Sequence, residues 1–127
     1  MTVVYDAGVL VAAERNDRRI WVDHRMRLEV GVVPTTTAPV VAQVSRSNRQ
    51  VQLRRFLRGC HIEAFTAEQA HEIGALLAKA GAADVVDAHV IITAAKQTST
   101  VWTSDPEDLH QLSEQLVLVR QVLIQRI

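Results

Sequence analysis

Ala83-Asp84-Val85-Val86-Asp87-Ala88-His89-Val90-Ile91-Ile92-Thr93-Ala94-Ala95, followed by Thr100-Val101-Trp102-Thr103-Ser104-Asp105-Pro106-Glu107-Asp108, decides how this chain is read. The first segment is an apolar helix opened by acids. Asp84 suits its cap, and Asp87 falls in the first turn, where the helix dipole favours negative charge. The second segment is a short β-branched run with further acids just past its end. A helix start and a strand end are the places where an open α/β sheet gathers its site residues. Carboxylates at both places can converge on one hard cation. Capping and the dipole also account for Asp84 and Asp87 without any ion.

Upstream, Val3-Val4-Tyr5 reads as an opening strand that delivers Asp6 at its tip, with Ala7-Gly8 and an apolar helix, Val9 to Ala13, next. Asp6 is read either as a site residue at the sheet's carboxyl edge or as that helix's cap. Asn16 or Asp17 caps a second helix running to about Val30. Val32 to Thr37 is a short strand, and Pro39 suits the first turn of the helix after it. Gln43, a polar residue in that apolar helix, is either partly exposed and hydrogen-bonded or functional. Ser47 or Asn48 starts a further helix closed by Gly59, and His61 to Phe65 alternates as a strand. Thr66 with Gln69 three residues later is a capping-box signature for a helix ending at Gly81. His71 falls on its solvated face. Asp105-Pro106 opens a helical turn through Leu112, a last strand is expected near Leu116–Val119, and Val122-Leu123-Ile124 is an edge strand or a partner surface. Strands alternate with helices throughout, which predicts an α/β sandwich of three layers: a mostly parallel sheet between helices.

The 127 residues fit one domain, 1–127, large enough to fold without a staple. Cys60 is the single cysteine, so the chain has neither an internal disulfide framework nor a multi-cysteine zinc site. That fits a reducing compartment, and a cytoplasmic protein is expected. The first residues lack a basic region and a long apolar run, so neither export nor a membrane span is expected. Fourteen basic and fourteen acidic residues cancel, which leaves nucleic-acid binding to local patches. Arg46, Arg49, Arg54, Arg55 and Arg58 form one such crowd. It is either a solvated helix face or a surface for phosphate, and no interleaved aromatics offer a stacking platform for bases.

Asp6, Asp87 and Asp105 are thus each expected at an element end on the same sheet edge. Three carboxylates held together repel, and a divalent cation resolves that repulsion. No histidine or cysteine pair has zinc spacing, so an oxygen-preferring ion, Mg²⁺ or Mn²⁺, is expected.

These residues carry a resemblance. Val3-Val4-Tyr5-Asp6 resembles the first acidic motif of the PIN-domain nucleases. Asp87-Ala88, an apolar helix and then Val101-Trp102-Thr103-Ser104-Asp105 are similar to that family's third and fourth motifs, most closely in the VapC-type toxins of bacterial toxin–antitoxin pairs. The resemblance covers nearly the whole chain. It implies a PIN-like sandwich, Mg²⁺- or Mn²⁺-dependent RNA cleavage, inhibition by a partner antitoxin, and a homodimer. It assigns Asp6, Asp87 and Asp105 to the metal and Thr103 to a supporting hydroxyl, and Asp108 lies where some members place an additional acid; with Gln43 in place of the second acid, metal affinity should fall unless Asp84 or Asp108 compensates. The arginines Arg46, Arg49, Arg54 and Arg55 would then meet RNA. Two departures stand out. Gln43 occupies the place of the second-motif glutamate, where an amide keeps an oxygen acceptor but removes a charge, leaving it to orient or weakly ligate. Ala7 follows Asp6 where the family usually has a hydroxyl. A PIN-like module with weakened or lost cleavage, binding RNA or protein, is therefore the alternative. A receiver-like phosphoryl domain ranks last, because Lys79 and Lys96 are the only lysines and both fall within helices.

Overall fold

The computed structural model describes residues 2–97, 99–116 and 122–127. Its elements run β1 (Val3–Tyr5), α1 (Ala7–Glu14), α2 (Arg18–Glu29), β2 (Thr35–Thr37), α3 (Ala38–Val44), α4 (Val51–Leu57), β3 (His61–Glu63), α5 (Ala67–Ala80), α6 (Val85–Gln97), β4 (Thr100–Thr103), α7 (Pro106–Ser113) and β5 (Leu123–Arg126). The five strands form one sheet in the order β3-β2-β1-β4-β5, and every pairing is parallel. Parallel strands need helical crossovers, which cover the sheet. Packed against β1 and β4, α1 in turn meets α2, α3 and α4. Helix α6 packs on β1, β2 and β4 and meets α5 and α7. The result is the expected three-layer α/β sandwich.

Burial follows from that layering. β1 and β2 are buried along their whole length. Residues Ala88 to Ala95 of α6 are all buried, as an all-round apolar helix should be when neighbours enclose it. On the other face Tyr5 joins Trp21, His24, Phe56 and Trp102 in an aromatic cluster. Tyr5 Oη and His24 Nδ1 lie 3.0 Å apart, so the two polar tips satisfy each other inside the core.

Local signals set most boundaries. Asp17 caps α2 by accepting from Arg19 N–H. The capping box of α5 is complete, and Gly81 ends that helix with a left-handed backbone (φ 63°) that suits glycine. α4 starts later than its sequence signature, at Val51 rather than near Ser47 or Asn48. The Gln50 side chain is the reason: Oε1 accepts from the N–H groups of Arg46 and Ser47 while Nε2 donates to Val44 carbonyl, which holds 46–50 as a turn. β2 and β3 are also shorter than the expected runs. Of the strand expected near Leu116–Val119, Leu116 is not in a strand and the rest lies outside the described residues. Of the expected tail Val122–Ile124, Leu123 and Ile124 lie in β5, the edge strand beside β4, and Val122 precedes it. Among the described residues no helix is long and apolar enough to cross a membrane.

Candidate functional site

The strand order creates one special place. From β1 the chain builds outward through β2 and β3, then returns to lay β4 on the other side of β1. Such a reversal leaves a crevice at the carboxyl ends of the two strands that flank it. Asp6 ends β1, and Thr103, Ser104 and Asp105 end β4.

Asp6 N–H donates to Trp102 carbonyl at 3.0 Å, which extends the β1–β4 ladder by one residue. Asp6 occupies the N-cap position of α1, yet its side chain makes no capping bond. Its Oδ2 accepts from Thr103 Oγ1 at 2.7 Å. Asp105 repeats the pattern at α7: an N-cap position without a side-chain capping bond. Asp105 N–H donates to the same Thr103 Oγ1 at 3.0 Å. One hydroxyl therefore receives from one acid's backbone and donates to the other's carboxylate, using both of its capacities. Asp84 does cap: its Oδ1 accepts from Asp87 N–H at 3.0 Å.

These carboxylates feel one another. Asp87, half-buried in the first turn of α6, is pushed up from the ordinary 3.8 to about 7. Burial is the largest cause, followed by the charges of Asp84, Asp6, Asp108 and Asp105. Asp105 is also raised, by desolvation of its carboxyl first and then by the neighbouring charge of Asp108. An acidic edge of this kind binds cations by charge and by oxygen donors. The donor set suits Mg²⁺ or Mn²⁺ in kind. In spacing, no group of three His, Cys, Asp or Glu side chains among the described residues is close enough to clasp an ion.

Three comparisons bear on the frame. No protein-family model matches the chain, and no curated protein sequence matches it. Solved structures do. VapBC2 from Rickettsia felis, bound to a DNA fragment from their promoter, superposes with a TM-score of 0.68 at 15% identity, covering 100% of this chain and 99% of that chain. FitAcB from Neisseria gonorrhoeae gives 0.63 at 14% identity, covering 96% and 95%. PAE2754 from Pyrobaculum aerophilum gives 0.60 at 14% identity, covering 98% and 92%. The chain shares the fold of these proteins. At these identities the likeness is one of fold.

Within this shared fold the remaining candidates take different places. Thr103, Asp84 and Asp108 belong to the acidic edge. Gln43 is exposed in the last turn of α3. Arg46, Arg49, Arg54 and Arg55 are exposed. Arg46 folds back onto Ala42 and Ser45 carbonyls, and Arg55 bonds Gln52 while lying 5.0 Å over the Trp21 ring.

Two contributors escaped sequence reasoning. Gly8 meets Ser104: a Cβ on Gly8 would overlap Ser104 Oγ and stand 2.8 Å from its Cβ. A glycine inside a helix is a sign of close approach, and Gly8 carried that sign. The other is the chain's end, where Ile127 N–H donates to Thr103 carbonyl at 2.9 Å. Nothing local marks it.

Proposed function

We propose that this chain is a metal-dependent endoribonuclease acting as the toxin of a toxin–antitoxin pair. One observation carries the reading. Asp6 and Asp105 hold N-cap positions without capping, and both press their charge on Asp87 at the sheet's switch point. Simple helix capping does not account for that. In this reading Asp6, Asp87 and Asp105 hold Mg²⁺ or Mn²⁺, Thr103 keeps the Asp6 carboxylate aimed, Asp84 fixes the start of α6, and Asp108 adds charge. When bound, such an ion would supply charge neutralisation at a phosphate and an activated water. RNA meets Arg46, Arg49, Arg54 and Arg55, because a chain of zero net charge has only local patches to offer a polyanion. The likeness to VapBC2 and FitAcB supports an antitoxin as the protein partner, and a homodimer is proposed with it.

Mn²⁺ titration by calorimetry, followed by cleavage of a mixed RNA pool, tests the reading. The native chain should bind and cleave, and Asp87→Asn should lose both. A native chain that takes up no Mn²⁺ at millimolar concentration overturns it.

The second reading is a PIN-like module whose cleavage is weakened or lost. Gln43, neutral and exposed in place of an acid, favours it. Gln43→Glu separates the two: a rise from near zero supports decay, whereas unchanged cleavage supports a working native site.

A further inference from the structure

Zero net charge conceals a division. Residues 15–58 hold ten arginines, no lysine and three acids, a net of seven positive charges, and the remainder of the chain is seven negative. Nine of the ten arginines are exposed. The tenth, Arg27, is tied to Asp23 at 2.7 Å and lies 5.2 Å over the Trp102 ring. Of the other two acids, Asp17 is occupied in capping α2, and Glu29 stands at that helix's end.

The fold gathers part of this charge at one seam. Helices α2 and α4 lie side by side: the Trp21 and Phe56 rings meet edge-on at 5.2 Å, and His24 stacks on Phe56. Arg18 and Arg25 stand three residues before and four after Trp21 in α2, which puts both on its face of the helix. Arg55 reaches from α4 to lie 5.0 Å over the same ring. Three guanidiniums thus surround one half-buried indole. Trp21 Nε1 donates inward to Ala13 carbonyl at 3.0 Å, so the seam sits at the opposite end of α1 from Asp6.

We propose that the α2–α4 seam is an anchor for the RNA backbone, with Arg18, Arg25 and Arg55 taking phosphates around Trp21. The proposal rests on the RNA-binding part of the reading above and needs no metal ion. It brings α2 into the surface and separates the holding of RNA from the acidic edge.

Like charges gathered on one surface repel, and a polyanion relieves them. Guanidinium forks engage phosphate oxygens in pairs. Trp21 has Arg55 over its ring and its N–H spent inside, so the seam presents guanidiniums rather than a stacking platform. Contact is therefore with the backbone and carries no base sequence. An acidic protein segment is the competing occupant. Protein interfaces centre on an apolar anchor in a pocket, whereas polar, positively charged contact is the character of nucleic-acid interfaces. Val22 and Met26 are exposed on α2, but at one and five residues from Trp21 they lie off its face.

The experiment is fluorescence anisotropy of a labelled single-stranded RNA in EDTA, across a salt series. It compares the native chain with Arg18→Gln/Arg25→Gln, Arg18→Lys/Arg25→Lys and Lys79→Gln. The glutamine pair should make the slope of log K against log salt shallower by about 1.4, at about 0.7 per phosphate contact on a single strand. The lysine pair keeps the charge and should keep the native slope, as should Lys79→Gln in α5. All should melt near native, because the substituted residues are exposed. Polyglutamate of matched charge should compete more weakly than unlabelled RNA, and single-stranded DNA of the same sequence should bind no more tightly. An unchanged slope in the glutamine pair overturns the proposal and leaves RNA binding elsewhere on the chain standing. A lost slope in the lysine pair, or a large fall in the melting temperature of the glutamine pair, overturns it too, because the arginines would then act through the fold. Polyglutamate that competes as well as RNA marks the seam as a site for an acidic protein segment instead, and tighter binding of the DNA removes the assignment to RNA. A native chain that binds no RNA sinks the RNA reading itself, and this anchor with it.

Discussion

Thr103 shows how a single hydroxyl can organise charge. It ties the end of β4 to Asp6 across the sheet and to the backbone of Asp105 along the chain, so two acids share one support. Asp87 experiences the consequence. Its folded-state value of about 7, against an ordinary 3.8, means that the folded protein holds this proton more tightly than the unfolded chain does. Stability from this group is present below about pH 4 and is lost as pH rises through 7. At pH 8 the ionised Asp87 should therefore cost on the order of 1–2 kcal/mol, after discounting for solvent screening of a half-exposed group. Asp87→Asn should melt higher than native at pH 8 in metal-free buffer, and the two should converge at pH 4. An equal difference at both values would refute the assignment. The acid identities at 6, 87 and 105 were legible in the sequence. That Asp6 and Asp105 leave their capping duties undone was not, because a sequence offers the same residue for both roles.

Among the elements, the contact of α1 with the end of β4 sets the width of the site. Gly8 should tolerate no methyl group. Gly8→Ala gains up to about 1 kcal/mol in helix propensity, but overpacking against Ser104 costs about 1–3 kcal/mol. A net loss is expected in urea unfolding, and Ser104→Gly in the same chain should recover it. If Ser104→Gly restores nothing, the clash lies elsewhere. The capping box Thr66/Gln69, the Asp17 cap and the glycine stop at Gly81 could be read from sequence, since each is a local bond with a fixed spacing. The late start of α4 could not. Gln50 diverts its side chain to the turn behind it, a choice that the apolar pattern does not encode.

For the whole molecule, two buried imidazoles on opposite sides of the sheet oppose Asp87 in their pH response. Burial is the first cause that lowers His24, which stacks 3.9 Å from Phe56 and meets Tyr5. Burial also leads in lowering His89, whose Nε2 lies 3.2 Å from Gln69 Oε1. Each binds its proton less tightly folded than unfolded, so its contribution is present above 6.5 and is lost as pH falls below it. Native protein should therefore show a shallow melting profile between pH 7 and 5, where Asp87 gains what the histidines lose. In Asp87→Asn only the histidine loss remains, and the fall should steepen. Parallel profiles for the two proteins would count against this balance.

The sequence by itself determined the α/β class, most helix starts and stops, the burial of α6 and the identity of the acids. Those properties depend on periodicity and on contacts a few residues apart. Only the tertiary structure decided that β4 returns to the far side of β1, that Thr103 meets Asp6, that Gly8 closes on Ser104 and that Arg126 reaches the loop before Asp105. Strands buried on both faces read alike, so their pattern does not name their neighbours. Partners 97 and 22 residues apart in the chain are joined by the fold alone.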